Sequence, residues 1–150
     1  MRRGLLVAIA AAACGPPPAR SPSPPPSSVE ISVLAALAES AVAGMTPLGN
    51  VLGARLVEGQ LGEHPLTLEP GRCYTAVGAG LPEIEELELE IVVPTSAGDQ
   101  VLARDDSIGS LAIAGARDAC ARGPSRPTPA IVRMKATRGQ GVVALQLYMR

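Results

Sequence analysis

Side chains suited to acid–base or covalent chemistry are few in this sequence and lie far apart. The chain has a single histidine, His64, which precedes Pro65 in a segment typical of a turn, so we expect an exposed hairpin residue there. Ser107 and Ser110 lack the Gly-x-Ser-x-Gly context of a hydrolase nucleophile, so a catalytic triad would depend on His64 alone. The sequence therefore predicts a non-catalytic protein without a cofactor, and a hydrolase that uses His64 is the less favoured alternative.

The first of three cysteines, Cys14, ends an apolar run that follows Arg2 and Arg3. A short positive region, an apolar stretch and small residues at its end are typical of an export signal, here residues 1–13. The run is too short to cross a bilayer, which needs about 20 residues. Its small-small-cysteine ending resembles the lipobox of bacterial lipoproteins, which implies a diacylglycerol, with acyl chains such as palmitate, on Cys14.

Two other interpretations of this segment stay open. Ordinary signal cleavage after Ala13 is one, because residues 11–13 also satisfy the A-x-A pattern. A buried N-terminal helix of the fold is the other. Since Gly15 rather than aspartate follows the cysteine, the lipoprotein resemblance favours the outer membrane, facing the periplasm or the cell surface. We then expect the membrane as a partner through Cys14, and an envelope protein as a further partner.

Residues 14–28 are predicted to be the lipidated cysteine and a disordered linker rich in proline and serine. The thirteen residues 16–28 include seven prolines, a composition that favours extended polyproline II. At ~3.1 Å per residue they would reach about 40 Å. The linker would hold a folded domain clear of a membrane surface.

The two remaining cysteines, Cys73 and Cys120, are predicted to form a disulfide. If Cys14 carries lipid, export delivers an even number of thiols to an oxidising compartment, where disulfides persist. Closing a loop of about 48 residues would stabilise the fold by ~4 kcal/mol in the chain-entropy model. Two free thiols or a metal site are the alternatives, but the sequence has one histidine and no Cys-x-x-Cys spacing.

Carboxylates are concentrated in two short stretches, residues 83–90 and 99–106. Oxygen ligands of this kind suit Ca²⁺, so a calcium-dependent binding domain is the alternative function. The second stretch lacks the glycine-containing loop of an EF-hand, which favours turn or surface roles for its acids. The candidate metal ligands are Glu83, Glu85, Asp99, Asp105 and Asp106.

A simpler interpretation applies to the first acidic stretch. Glu86, Glu88 and Glu90 alternate with apolar residues, which indicates the solvated face of a β-strand. Arg133 and Lys135 have the same outward phase in a second alternating segment, so they are placed to pair with these glutamates across strands.

Composition excludes some partners. Without residues 1–13 the chain has eleven basic and fourteen acidic residues, which argues against nucleic acid because that ligand requires a basic surface. The sequence has no tryptophan or phenylalanine, which disfavours carbohydrate binding by stacking. The two tyrosines, Tyr74 and Tyr148, are expected at the margin of an aliphatic core.

An amphipathic helix is predicted over residues 29–43, and residues 29–50 comprise this helix and a connector. Ser27 and Glu30 have the spacing of a capping box, and Gly44 and Pro47 follow as stop signals. Docking of the helix on the rest of the fold is the favoured interpretation, and self-association is the alternative.

After the helix, the period of the pattern changes to two, and turn signals recur at short intervals. Residues 51–150 are therefore predicted to be one antiparallel β-sandwich or jelly roll, preceded by the short helix. Its last two strands are expected to form a hairpin around Gly139 and Gly141. The predicted strands are residues 54–58, 65–68, 73–78, 87–93, 100–104, 111–114, 132–137 and 143–149.

The order of these segments carries a resemblance. LEPGRCYT at residues 68–75 leads to IEELELEIVVP at 84–94, then VLARD at 101–105, a cysteine and the final Gly-x-Gly turn. This order resembles the bacterial pre-peptidase C-terminal type of β-jelly-roll domain, found in small lipoproteins of myxobacteria. In that family the central strand has Asp-Leu-Asp-Leu where this chain has Glu86 and Glu88. The resemblance implies an accessory, non-catalytic domain.

Overall fold

The computed structural model describes residues 32, 34, 36, 38–81 and 83–150. The predicted export segment 1–13, Cys14, the linker and the capping box lie outside the described residues. Among the described residues, no helix is long and apolar enough to cross a membrane.

Strands make up most of the described part of the chain, which also includes helical backbone at Ser32, Leu34, Ala36 and Ala38. A short 3₁₀ turn covers Arg117–Ala119. The strands are β1 (Thr46–Leu56), β2 (Leu61–Leu68), β3 (Cys73–Leu81), β4 (Ile84–Thr95), β5 (Gly98–Arg104), β6 (Leu111–Ala114), β7 (Ala121–Arg122), β8 (Thr128–Gly139) and β9 (Gly141–Met149).

The strands form two antiparallel sheets that pack face to face, so the predicted β-sandwich is confirmed. Sheet A has the order β1-β9-β3-β6, with β7 also paired to β3. Sheet B has the order β2-β8-β4-β5. The expectation of a C-terminal hairpin is wrong, because β8 belongs to sheet B and β9 to sheet A, so these consecutive strands do not pair with each other. The turn between them carries the chain from one sheet to the other, and Gly139 at the end of β8 has a φ of 82°, a backbone conformation that favours glycine.

The main core lies between the sheets and follows the period of two. In β4, Leu87, Leu89 and Ile91 are completely buried, whereas Glu88 between them is exposed. In β8, Val132 is paired with Ile91 and is likewise completely buried in the main core. Alternation of apolar and charged residues therefore decides which side of sheet B faces inward.

Tyr74 lies inside the main core, with 1% of its surface exposed, and not at the margin as expected. Its hydroxyl accepts a hydrogen bond from the backbone N–H of Glu69, at 2.7 Å. A buried tyrosine needs such a partner for its polar end. The contact also fixes the turn between β2 and β3.

The outer face of sheet A is covered as well. Leu34, Ala38 and Val42 pack in a second buried cluster with Ala144 and Tyr148, among other residues of sheet A. Leu34 and Ala38 are one helical turn apart, so they share the face that meets the sheet. The described helical residues therefore dock on the sandwich, and the central strands of sheet A are buried on both faces.

Strand β1 begins at Thr46, inside the stretch predicted as a connector. Its register with β9 shifts between Leu48 and Leu52, so a bulge interrupts the alternation there. The buried side chain of Gln146 donates from Nε2 to the carbonyl oxygens of Leu48 and Gly49, at 3.3 and 3.4 Å. An amide on the neighbouring strand thus binds the carbonyl groups of the bulge.

The close approach of the sheets at β3 gives a test of the packing. A Cβ on Gly80 would lie 2.6 Å from Cβ and Cγ2 of Ile84, whereas at Gly78 the nearest atoms are methyl groups of Leu89 and Leu87, at 3.1 and 3.2 Å. We expect Gly80→Ala to lower the free energy of unfolding by about 1–3 kcal/mol, and Gly78→Ala to lower it less because leucine ends can rotate. Urea unfolding of the disulfide-bonded protein measures the free energy of unfolding of both variants. Equal destabilisation by the two substitutions would contradict this packing.

Candidate functional site

The cysteines predicted to pair do form a disulfide. Cys73 at the start of β3 is bonded to Cys120, which follows the 3₁₀ turn, and their Cα atoms are 5.5 Å apart. Both residues are buried. The predicted disulfide is confirmed, and the alternatives of free thiols or a metal site at these cysteines are wrong. Cys14 lies outside the described residues.

The five candidate metal ligands are spread over sheet B and its loops. Glu85 is ion-paired with Arg138 at 2.9 Å, and Asp99 with Arg133 at 2.9 Å. Glu83 is exposed, and its backbone oxygen accepts a hydrogen bond from the N–H of Gln140. Among the residues that the structure describes, no three His, Cys, Asp or Glu side chains are arranged to hold a metal ion.

Asp105 has a structural role at one edge of the sandwich. Its carboxylate accepts hydrogen bonds from the hydroxyl of Ser107 at 2.9 Å and from the backbone N–H of Ile113 at 3.0 Å. These contacts join the segment after β5 to β6, and so connect the two sheets on that side. Asp106, the next candidate, is exposed.

The predicted glutamate face lies on the outer side of sheet B, but its ion pairs differ from the expectation. Arg133 and Lys135 do lie across from these glutamates, since the strand register places Arg133 opposite Glu90 and Lys135 opposite Glu88. The guanidinium instead bonds Glu63 on β2, at 3.1 Å, and Asp99, and the hydrogen bond to Asp99 raises the pKa of Arg133. Glu90 is paired with Arg104 at 3.5 Å. A row of alternating charges therefore crosses all four strands.

The two acidic stretches meet beside this row in a shallow pocket of about 300 Å³. Its lining includes Glu86, Glu88 and Asp106 together with one cation, Arg104. Carboxylates in contact with solvent are well hydrated, so this pocket gives only weak support for a specific ligand site.

A larger groove lies on the opposite side, between the edge strands β1 and β2; we call it the edge groove. It has a volume of about 660 Å³. Its lining includes three residues of the main core, Leu56, Met134 and Leu145, together with Arg55 and His64. The groove therefore connects solvent with the interior of the sandwich.

Two small residues line the edge groove. Gly62 on β2 allows Leu56 and Met134 to pack close to its backbone, since a Cβ there would lie 3.1 Å from a methyl of Leu56 and 3.3 Å from that of Met134. Ala54 on β1 is also small and lines the groove. A larger aliphatic residue at Ala54 would fill part of the space between the edge strands.

His64 lies within β2, paired with Val132, so its prediction as an exposed hairpin residue is wrong. The side chain is partly buried, and this burial lowers its pKa. No serine, threonine or cysteine is among the described residues that line the groove with it. Ser107 and Ser110 follow β5 on the other side of the sandwich, so the structure does not place a candidate nucleophile beside His64.

Neither protein-family models nor curated proteins give a match to this sequence. The described residues present a solvated charged face, a disulfide and an edge groove with an apolar floor.

The burial of His64 predicts a pH dependence. The pKa of His64 is lower in the folded protein than the value of 6.5 in the unfolded chain. Between these two pKa values the unfolded chain binds more protons than the folded protein, so the free energy of unfolding falls as the pH drops from 6.5 through the folded pKa. We expect His64→Gln to remove this part of the acid destabilisation and to leave the pH dependence above 7 unchanged. The imidazole resonances of the single histidine report its pKa by NMR, and a value at or above 6.5 would contradict the prediction.

Substitution of the adjacent residues Asp105 and Asp106 allows a direct comparison of a hydrogen-bonded and an exposed carboxylate. We expect Asp105→Ala to lower the free energy of unfolding by about 1–3 kcal/mol, because it leaves the Ile113 N–H without its acceptor. Asp106→Ala should change it by less than about 0.5 kcal/mol, since this side chain is exposed. Thermal unfolding with and without calcium checks both variants. If calcium stabilised the parent protein but not Asp105→Ala, Asp105 would be a metal ligand instead.

Proposed function

We propose that this protein is an exported, lipid-anchored envelope protein whose β-sandwich is a non-catalytic interaction module. The outer membrane is the proposed site, with the domain facing the periplasm or the cell surface. One observation carries the proposal: Cys73 is paired with Cys120, so Cys14 is the one cysteine of the sequence outside this bridge. That cysteine ends an apolar run behind Arg2 and Arg3, where a lipid attachment site belongs.

The disulfide also supports export. Bridges of this kind form and persist in oxidising compartments and are rare in the cytosol. The proline-rich residues 16–28 would then act as a spacer between the anchor at Cys14 and the domain.

The interaction role rests on the surface of the sandwich. The resemblance to pre-peptidase C-terminal domains implies an accessory module, and an antiparallel two-sheet fold is compatible with that type. The lining of the edge groove includes three residues of the main core, and concave apolar surfaces with a few polar groups are where proteins bind ligands. The calcium-dependent alternative has less support, because Glu85 and Asp99 are held in ion pairs with arginines.

The intact, non-reduced mass of the protein from bacterial membranes tests the anchor. We expect a chain that begins at Cys14, carries lipid and lacks the hydrogens lost on forming the Cys73–Cys120 bridge. Cys14→Ser should be unlipidated and leave the membrane fraction. The double variant Cys73→Ser/Cys120→Ser is the matched control, since it removes thiols but should keep the lipid. A lipid-free chain that begins at Cys14 would contradict the anchor and indicate ordinary signal cleavage.

A further inference from the structure

We propose that the edge groove binds an extended segment of a partner protein that has aliphatic side chains and a carboxylate. The segment would add as a strand beside β1, with alternate side chains entering the groove. This inference deepens the interaction role proposed above and does not depend on the lipid anchor.

The two open sides of the sandwich differ in how they are covered. On the side of β5 and β6, the segment 105–110 bonds both sheets: the Gly109 carbonyl oxygen accepts from the N–H of Leu87, at 2.9 Å, and the Ser110 carbonyl oxygen from that of Gly80, at 2.7 Å. On the other side, β1 pairs with β9 and β2 pairs with β8, and among the described strands neither has a second neighbour. The backbone groups on these outer edges are therefore available to another chain.

The floor of the edge groove suits aliphatic side chains. Leu56, Met134 and Leu145 are at most 4% exposed and belong to the main core. A side chain that enters beside Ala54 would extend this core, and burial of each CH₂ group contributes about 0.8 kcal/mol.

The charge of Arg55 favours a partner segment that contains acidic residues. Arg55 alternates with Ala54 and Leu56, which pack against the main core, so its side chain lies on the outer side of β1 at the rim of the groove. It is exposed and forms no ion pair with any described residue. The acidic neighbour Glu63 is already bonded to Arg133. Burial lowers the pKa of His64, which favours its neutral form. The uncommitted charge at the groove is thus a guanidinium, whose preferred partner is a carboxylate.

This charge disfavours two occupants from the protein itself. Residues 1–29 contain no aspartate or glutamate, so the N-terminal segment lacks the complementary group. A second copy that paired β1 with β1 through residues 52–56 around a two-fold axis would bring the two Arg55 side chains close together, which like charges oppose. A segment from a different protein fits the charge better.

Strand β1 is the better of the two edges for strand addition. Its residues 52–56 keep an unbroken register with β9. Strand β2 contains Pro65, which has no N–H to donate. In strand addition, main-chain hydrogen bonds supply affinity and the pockets for alternate side chains supply specificity. Here the groove beside Ala54 would be the pocket.

The test uses the full chain in detergent and two libraries of acetylated, amidated octapeptides. In the acidic library leucine, isoleucine or valine alternates with glutamate or threonine, and in the basic library lysine replaces glutamate. We expect the acidic library to be enriched, with bound peptides protecting the amides of residues 52–56 from hydrogen exchange. Fluorescence anisotropy of the enriched peptides then gives dissociation constants.

Variants identify the groove as the binding site. Arg55→Glu should weaken acidic peptides about tenfold or more, or about 1.4 kcal/mol, and should favour the basic library. Ala54→Leu should weaken binding by filling the groove, and its melting temperature shows whether it is folded. Arg122→Glu, an exposed arginine on β7 on the other side, is the matched control and should bind normally.

Three results would overturn the inference: no enrichment of either library, equal enrichment of both, or unchanged binding by Arg55→Glu and folded Ala54→Leu. A dimer abolished by Arg55→Glu would assign the groove to a second copy instead. Cys14→Ser should bind peptides as the parent protein does, so failure of the anchor and failure of the groove are separable.

Discussion

Burial of β3 and β9 on both faces is the constraint on which the remaining structure depends. On one side these strands meet sheet B, and on the other they meet the cluster that includes Leu34 and Ala38. Strands in this position cannot use charged residues on either face, and β3 has none: apart from Tyr74 and Thr75 it is built from small and aliphatic residues. The polar exceptions have partners: Thr75 donates to the Gly115 carbonyl oxygen, and Gln146 donates to carbonyl oxygens of β1 and β9.

Much of the fold could be predicted because most strands keep a clear period of two. β4, β8 and β9 were found from alternation alone, and the disulfide from the number of cysteines. The first half of β1 was missed because its bulge and its glycines interrupt the period. The start of β2 was missed because Gly62 and His64-Pro65 have the composition of a turn, whereas pairing with β8 keeps them in a strand.

Side-chain partners were harder to predict than strands. Alternation indicates that Arg133 shares a face with the glutamates of β4, and the register sets it opposite Glu90. The long guanidinium nevertheless binds Glu63 and Asp99, and this choice depends on side-chain geometry. The edge groove could not be predicted at all. It lies between two strands that are not hydrogen-bonded to each other, so its lining residues come together only in the folded sandwich, and no local sequence pattern indicates that they are close.

The disulfide has a mechanical consequence. A force applied to the N-terminal side of the described domain acts first on the docked helical residues and next on β1. Because β1 is an edge strand, it can separate from β9 one residue pair at a time. Beyond that point the Cys73–Cys120 bond encloses a segment with a sequence separation of 47. At about 3.4 Å per residue, this removes roughly 160 Å from the length to which the chain can be drawn out. The β3–β6 segment would therefore stay closed as a loop after the sandwich around it had opened.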